Sequence, residues 1–237
     1  MGKNEGDKEN DSPRKNISFF STEVLYPTTI LTSSFLGGFY LYRMYFRRIP
    51  NSRRIPDYFF KRRKMVGRVT SVGDADNFHF YHTPGGVFAG WGWLRHAPVN
   101  KRGLGDQTIH VRLCGVDAPE GAHFGKPAQK WSGEALQWLR GTLLGKRVVL
   151  LPLSRDQYQR TVGEATIWTW LGRRNVSAEM LKNGWAVVYE GKIGSEFNGN
   201  EEWFRQLEAE ARKKRIGIFQ GKKKDFISPG QFKRLHR

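Results

Sequence analysis

The sequence predicts a mainly β fold with helices (α+β): a small closed barrel of five strands, with one helix inserted among the strands and helices at the end. Two observations predict it. Short stretches alternate apolar and polar residues at period two, as in Ile109, Val111 and Leu113 against His110, Arg112 and Cys114. These stretches are separated by Gly-, Asp- and Asn-rich turns, while helical spacing is confined to a few segments. There is no internal repeat.

Taken in order, Val66 to Val72 reads as a strand, Gly73 to Asn77 as a turn, and Phe78 to His82 as the returning strand. Residues 83–106 are rich in Gly, Trp and Pro, which predicts a surface insertion folded over the barrel by Trp91 and Trp93. Gln107 to Val116 is the next strand. Trp131, Ala135, Trp138 and Leu139 recur at helical spacing, and Gly145 stops that helix. Arg147 to Leu153 is a continuous apolar run suited to a buried strand. Asp156 to Gly163 is a polar turn, and Glu164 to Leu171 another strand. Asn175 or Ser177 caps a short helix that Gly184 ends, Trp185 to Tyr189 is a short strand, and Asn200 caps a last helix with Trp203, Phe204, Leu207 and Ala211 on one face.

The flanks differ from this centre. Residues 1–18 are polar, mixed in charge and without periodicity, which predicts a disordered N-terminus over 1–23. Residues 24–42 carry no charge, and tyrosines sit near both ends, so a single transmembrane helix is expected there, with a membrane as partner. Pro27, two glycines and several hydroxyl residues weaken that pattern. A basic linker follows at 43–64, the folded domain is expected at 65–220, and a basic tail at 221–237. The chain holds 40 Lys and Arg against 22 Asp and Glu, a formal net charge of +18, concentrated in those two basic stretches. Such charge favours a polyanionic partner, nucleic acid or an anionic lipid surface. The single cysteine, Cys114, excludes an intrachain disulfide and a Cys–His zinc cluster.

Three constellations carry chemistry. Asp74 and Asp76 lie in one turn and can meet a hard cation together, although an Asp-rich hairpin turn accounts for them taken alone. Arg112, Asp117 and Glu120 leave one strand and its following turn. Asp117 adds a cation ligand, Glu120 can activate a water beside it, and Arg112 is a fork suited to two phosphate oxygens. Arg160, in the next polar turn, offers a second fork, or is a solvated turn arginine. Together the groups suit phosphodiester hydrolysis: a cation, a carboxylate base, and two arginines for the charge on a five-coordinate phosphorus.

The motifs VGDAD followed by Phe78, VRLCGVDAPE, DQYQR and NGWAVVY occur in one order over roughly residues 65 to 220. In this the sequence resembles the staphylococcal-nuclease-like (thermonuclease) family. The expected anchor and the 83–106 insertion resemble the fungal membrane-anchored endonucleases of that family, which are assigned to mitochondria. The resemblance implies an OB-fold barrel, a Ca2+ cofactor, and DNA or RNA as substrate. It implies Asp76 and Asp117 as calcium ligands with the Ala118 carbonyl, Asp74 behind them, and Arg112, Glu120 and Arg160 as the catalytic residues. Tyr189 is the nearest candidate for a tyrosine that contacts the nucleotide. Two departures stand out: Asn77 follows DAD in place of a threonine, and Gln159 replaces a glycine before Arg160. The alternative expectation is a catalytically silent OB-type nucleic-acid-binding module tethered to a membrane.

Overall fold

The computed structural model describes residues 21–98, 103–122, 125–191, 196–221 and 226–235. The expected disordered segment therefore lies, up to residue 20, outside the described residues. The chain divides into two compact units, Met1–Tyr45 and Phe46–Arg237.

In the first unit, helix α1 runs from Thr22 to Leu41, with none of its residues buried. Leu25, Ile30, Leu31, Phe35, Leu36 and Phe39 are all exposed. No helix among the described residues is long and apolar enough to cross a membrane. The transmembrane helix expected at 24–42 is corrected on this point. The helix forms, but Pro27, Gly37, Gly38 and its Ser and Thr residues dilute the apolar side chains below what a hydrocarbon core demands. Thr28 and Thr29 turn their hydroxyls onto the carbonyls of Val24 and Leu25, each at 2.7 Å.

The second unit contains β1 (Met65–Asp74), β2 (Asn77–His82), β3 (Ile109–Leu113), β4 (Val116–Asp117), α2 (Ser132–Leu143), β5 (Arg147–Arg155), β6 (Thr161–Thr169), β7 (Gly172–Asn175), α3 (Val176–Lys182), β8 (Val187–Val188), α4 (Glu201–Lys214) and α5 (Pro229–Leu235). The main sheet has the order β3-β2-β1-β5-β6-β7, antiparallel along its length, and β3 also pairs with β6 in parallel. Each of β1, β2, β3, β5 and β6 thus has a partner on both sides. β4 and β8 form a separate antiparallel pair.

The core follows the alternation read in the sequence. Val69, Phe78, Phe80, Ile109, Val111, Leu113, Val148, Leu150 and Ala165 come inward from the strands. Ala135, Leu139 and Leu143 of α2, Met180 and Leu181 of α3, and Phe204 of α4 close over them. Burial of this apolar surface is the main stabilising term.

Two flanking stretches take part in the fold. Ile49, Ile55 and Phe59, within the stretch expected as a basic linker, are buried in the core. Asp57 pairs with Arg155 at 3.0 Å, and Asn51 donates to Asp106 Oδ2 at 2.7 Å. In the 83–106 insertion, Trp91 is buried edge-on against Tyr81 and donates its indole N–H to the Pro84 carbonyl at 3.0 Å, while Trp93 stays exposed.

Candidate functional site

The site is assembled by three local devices. The first is the β1–β2 turn, which closes at the Asp74–Asn77 pair, with the Asp76 carbonyl accepting from the Leu113 N–H at 2.9 Å. This ties the acidic turn to the end of β3. The second is the bend after β3. Gly115 adopts φ +69°, and a Cβ there would stand 2.8 Å from Phe197 and Phe204, so glycine is required by conformation and by packing. The bend sends Val116 and Asp117 into the β4–β8 pair, which brings Tyr189 alongside. The third is the β5–β6 turn. The Asp156 carboxylate accepts from the N–H groups of Tyr158 and Arg160 at 2.9 Å each, and from Arg160 Nε at 2.6 Å.

Arg112 is the centre of the cluster. Its Nε lies 3.4 Å from Asp76 Oδ2, its Nη2 3.8 Å from Asp117 Oδ1, and its guanidinium 4.7 Å above the Tyr189 ring. Burial opposes its charge, but Asp76, Asp117 and a hydrogen bond with Tyr189 outweigh burial and hold it above its ordinary value. Asp117 is only 4% exposed. Burial, and more weakly Asp76, push its carboxyl above the usual range, against Lys233 and Arg112.

Glu120 stands at the mouth of the cluster. Its backbone is clamped by Gln129: the Glu120 N–H donates to Gln129 Oε1 at 3.2 Å, and the Gln129 N–H donates to the Glu120 carbonyl at 2.8 Å. The Asp74 carboxylate lies beside Gly121. The structure thus brings Asp76, Arg112, Asp117, Glu120 and Tyr189 into one neighbourhood. Arg160 stands at the start of β6, whose parallel register with β3 sets Thr161 opposite Val111 and Val162 opposite Arg112, but its side chain turns to its own loop, against Asp156 and Tyr158. Its ion pair is with Asp156. Gln159 lies at φ +61°, the left-handed region that a glycine fills without strain.

Two residues of the site escaped the sequence reading. Lys233 of α5 places its ammonium 2.7 Å from Asp117 Oδ1 and 2.8 Å from Glu120 Oε1. Burial opposes its charge, but Asp117 and then Glu120 hold it above its ordinary value. Gln129 is the other. A sequence signal existed for α5, since Ser228-Pro229-Gly230-Gln231 has the form of a capping box with proline at the first helical position. None existed for Gln129.

Among the described residues no group of three or more His, Cys, Asp or Glu side chains is close enough to hold a metal ion. Asp76 and Asp117 therefore offer two carboxylates. Their oxygen-only chemistry nonetheless fits a hard cation completed by backbone oxygen, water or substrate, and a cationic group, the Lys233 ammonium, already sits against Asp117. Cys114 is fully buried, and burial pushes its thiol up to about 12, so it is neither a ligand nor a nucleophile here.

The family model described as "Staphylococcal nuclease homologue" matches residues 110–221. That span includes Arg112, Asp117, Glu120 and Arg160 and stops before α5. The chain is 55% identical over 215 residues to a protein of Yarrowia lipolytica named "Probable endonuclease LCL3", covering 90% of this chain and 95% of that one. It is 52% identical over 225 residues to the protein of that name in Candida albicans, covering 94% and 95%. In Debaryomyces hansenii the identity is 50% over 226 residues, covering 95% and 96%. With nearly its full length matched at such identity, and with the family span crossing the charged cluster, the chain belongs to the staphylococcal-nuclease-like family.

Proposed function

We propose that the chain is a calcium-dependent endonuclease that hydrolyses phosphodiester bonds of DNA, RNA or both. The observation that carries this reading is the cluster around Arg112: a half-buried guanidinium held by two aspartates, with a glutamate at the mouth. A module that only bound polyanions would gain nothing from three carboxylates facing phosphate, which weighs against the catalytically silent alternative. The named relatives and the net charge of +18 point the same way, and the two-sided pairing of five strands supports the expected OB-type barrel.

In this proposal Arg112 and Arg160 bind the scissile phosphate, each fixed in orientation by an aspartate through Nε. Glu120 takes a proton from a water molecule, the water oxygen bonds to phosphorus, and the bond to the leaving oxygen breaks. The charge gained by the non-bridging oxygens falls between the two guanidinium groups. Asp76 and Asp117 would hold calcium with the Ala118 carbonyl, and the ion, when bound, neutralises phosphate charge and acidifies water. Tyr189, against Arg112, lies where a nucleotide sugar or base would stack.

The test is hydrolysis of single- and double-stranded DNA and of RNA by the full chain, in calcium and in excess chelator. Cleavage with calcium and its loss with chelator are expected. Tight binding without turnover in either condition refutes the enzyme in favour of the silent module.

We further propose a mitochondrial, membrane-associated location. Helix α1 has no buried residue and exposes Leu25, Ile30, Leu31, Phe35, Leu36 and Phe39, which supports its lying against a membrane rather than crossing it. Recovery of the native chain from the soluble fraction of ruptured mitochondria, or from another compartment, contradicts this.

A further inference from the structure

We propose that α5 is a built-in occupant of the cation site, and that Lys233 must leave Asp117 and Glu120 before calcium and substrate engage them. The inference rests on the reading of Asp117 as a cation ligand and of Glu120 as the base.

The geometry is that of a bridge. One ammonium lies within 2.8 Å of both carboxylates, on the residue proposed for the ion and the residue proposed for water. A dication on Asp117 Oδ1 and an ammonium 2.7 Å from the same atom repel each other at close range, on a carboxylate that is itself buried. The two occupants therefore exclude one another. The same contact engages the proton acceptor, since a Glu120 carboxylate bound to Lys233 is not free to receive a proton from water.

Lys233 is held there by the segment before it. Phe226 packs on Phe219 at 5.3 Å, and Arg212 lies over both rings at 4.8 and 4.5 Å. The Ile227 carbonyl accepts from Gln129 Nε2 at 2.9 Å, so the side chain that clamps Glu120 also holds the tail. Ser228 and Gln231 cap the helix reciprocally, at 3.1 and 3.2 Å.

The docking is also suited to release. Helix α5 has seven residues, too few to be stable alone. An open cleft of about 250 Å3 lies beside it, lined by Pro119, Gln129, Trp131, Ile218, Phe226 and Phe232. The Phe232 flank of the helix therefore faces an open cleft rather than a closed core. The segment lies beyond the 110–221 span of the family match.

The experiment is calorimetric calcium titration of the full chain as wild type, Lys233→Met and Lys233→Arg. A parallel measurement follows tryptic cleavage after Lys233 and Arg234 with and without calcium. Lys233→Met keeps the stem and removes the charge, so it is expected to bind calcium about tenfold tighter or more. Lys233→Arg keeps the charge and stays near wild type. Calcium is expected to speed tail cleavage in the wild type, because the ion expels the helix. Wild-type calcium binding with Lys233→Met no tighter, or weaker, overturns this inference and leaves the calcium reading standing. Absence of calcium binding in all three chains overturns both.

Discussion

Gln159 carries the conformational departure of the site. It holds φ +61°, a region that costs a non-glycine residue about 1–2 kcal/mol. The turn survives because Asp156 accepts three hydrogen bonds from within it. Replacing Gln159 by glycine removes the strain at some cost in unfolded-state entropy, so a gain of about 0.5–1 kcal/mol is expected. Urea denaturation measures it, and a lower midpoint in the variant refutes the account of this turn. Arg112, Asp117 and Glu120 were legible in the sequence because one strand and its bend present all three within nine positions. Lys233 and Gln129 were not. Lys233 meets Asp117 across 116 positions of chain, and nothing in local sequence encodes such a contact.

At the scale of elements, the strands with an apolar face were legible and the others were not. β7, with the sequence GRRN, has no apolar alternation and exists through its pairing with β6. β4, with two residues, is defined only by its pairing with β8, whereas β8 itself lies within the short strand read at Trp185 to Tyr189. The stretch before β1 reads as linker by its charge, yet Ile49, Ile55 and Phe59 spaced along it are enough to bury it. Helix α1 was legible as a helix but overread as a membrane span, because an absence of charge is not the same as sufficient apolarity. Helix α5 was hidden by basic residues around a good capping signal. Ser228 accepts from the Gln231 N–H, so Ser228→Ala is expected to weaken α5 by about 1 kcal/mol. That appears as faster tryptic cleavage of the tail at constant global stability. Unchanged cleavage would show that the cap does not hold α5 in place.

For the whole molecule, His82 links stability to pH. It is buried, and its Nδ1 accepts the Ile49 N–H at 3.0 Å. Burial, then the charge of Arg48, lower its pKa from 6.5 to about 3. Below pH 6.5 the unfolded chain takes up a proton there that the folded chain refuses until about pH 3. The stabilising contribution is therefore present above pH 6.5 and is lost as pH falls through that window, by at most about 1.4 kcal/mol per unit. His82→Asn, which retains an acceptor near the Nδ1 position, is expected to flatten this part of the stability profile. An unchanged slope from pH 6.5 to 5 contradicts the assignment.

The central claim for the molecule is that the cluster around Arg112 hydrolyses phosphodiesters with Glu120 as the base. Glu120 is accessible, with its side chain 36% exposed, so Glu120→Gln preserves shape and folding while removing the proton acceptor. The direct measurement is the single-turnover cleavage rate of a DNA oligonucleotide in calcium, wild type against Glu120→Gln, with substrate binding measured alongside. The predicted result is a fall in rate of about 10²- to 10⁴-fold with binding retained. An equal rate in the two chains would contradict the account.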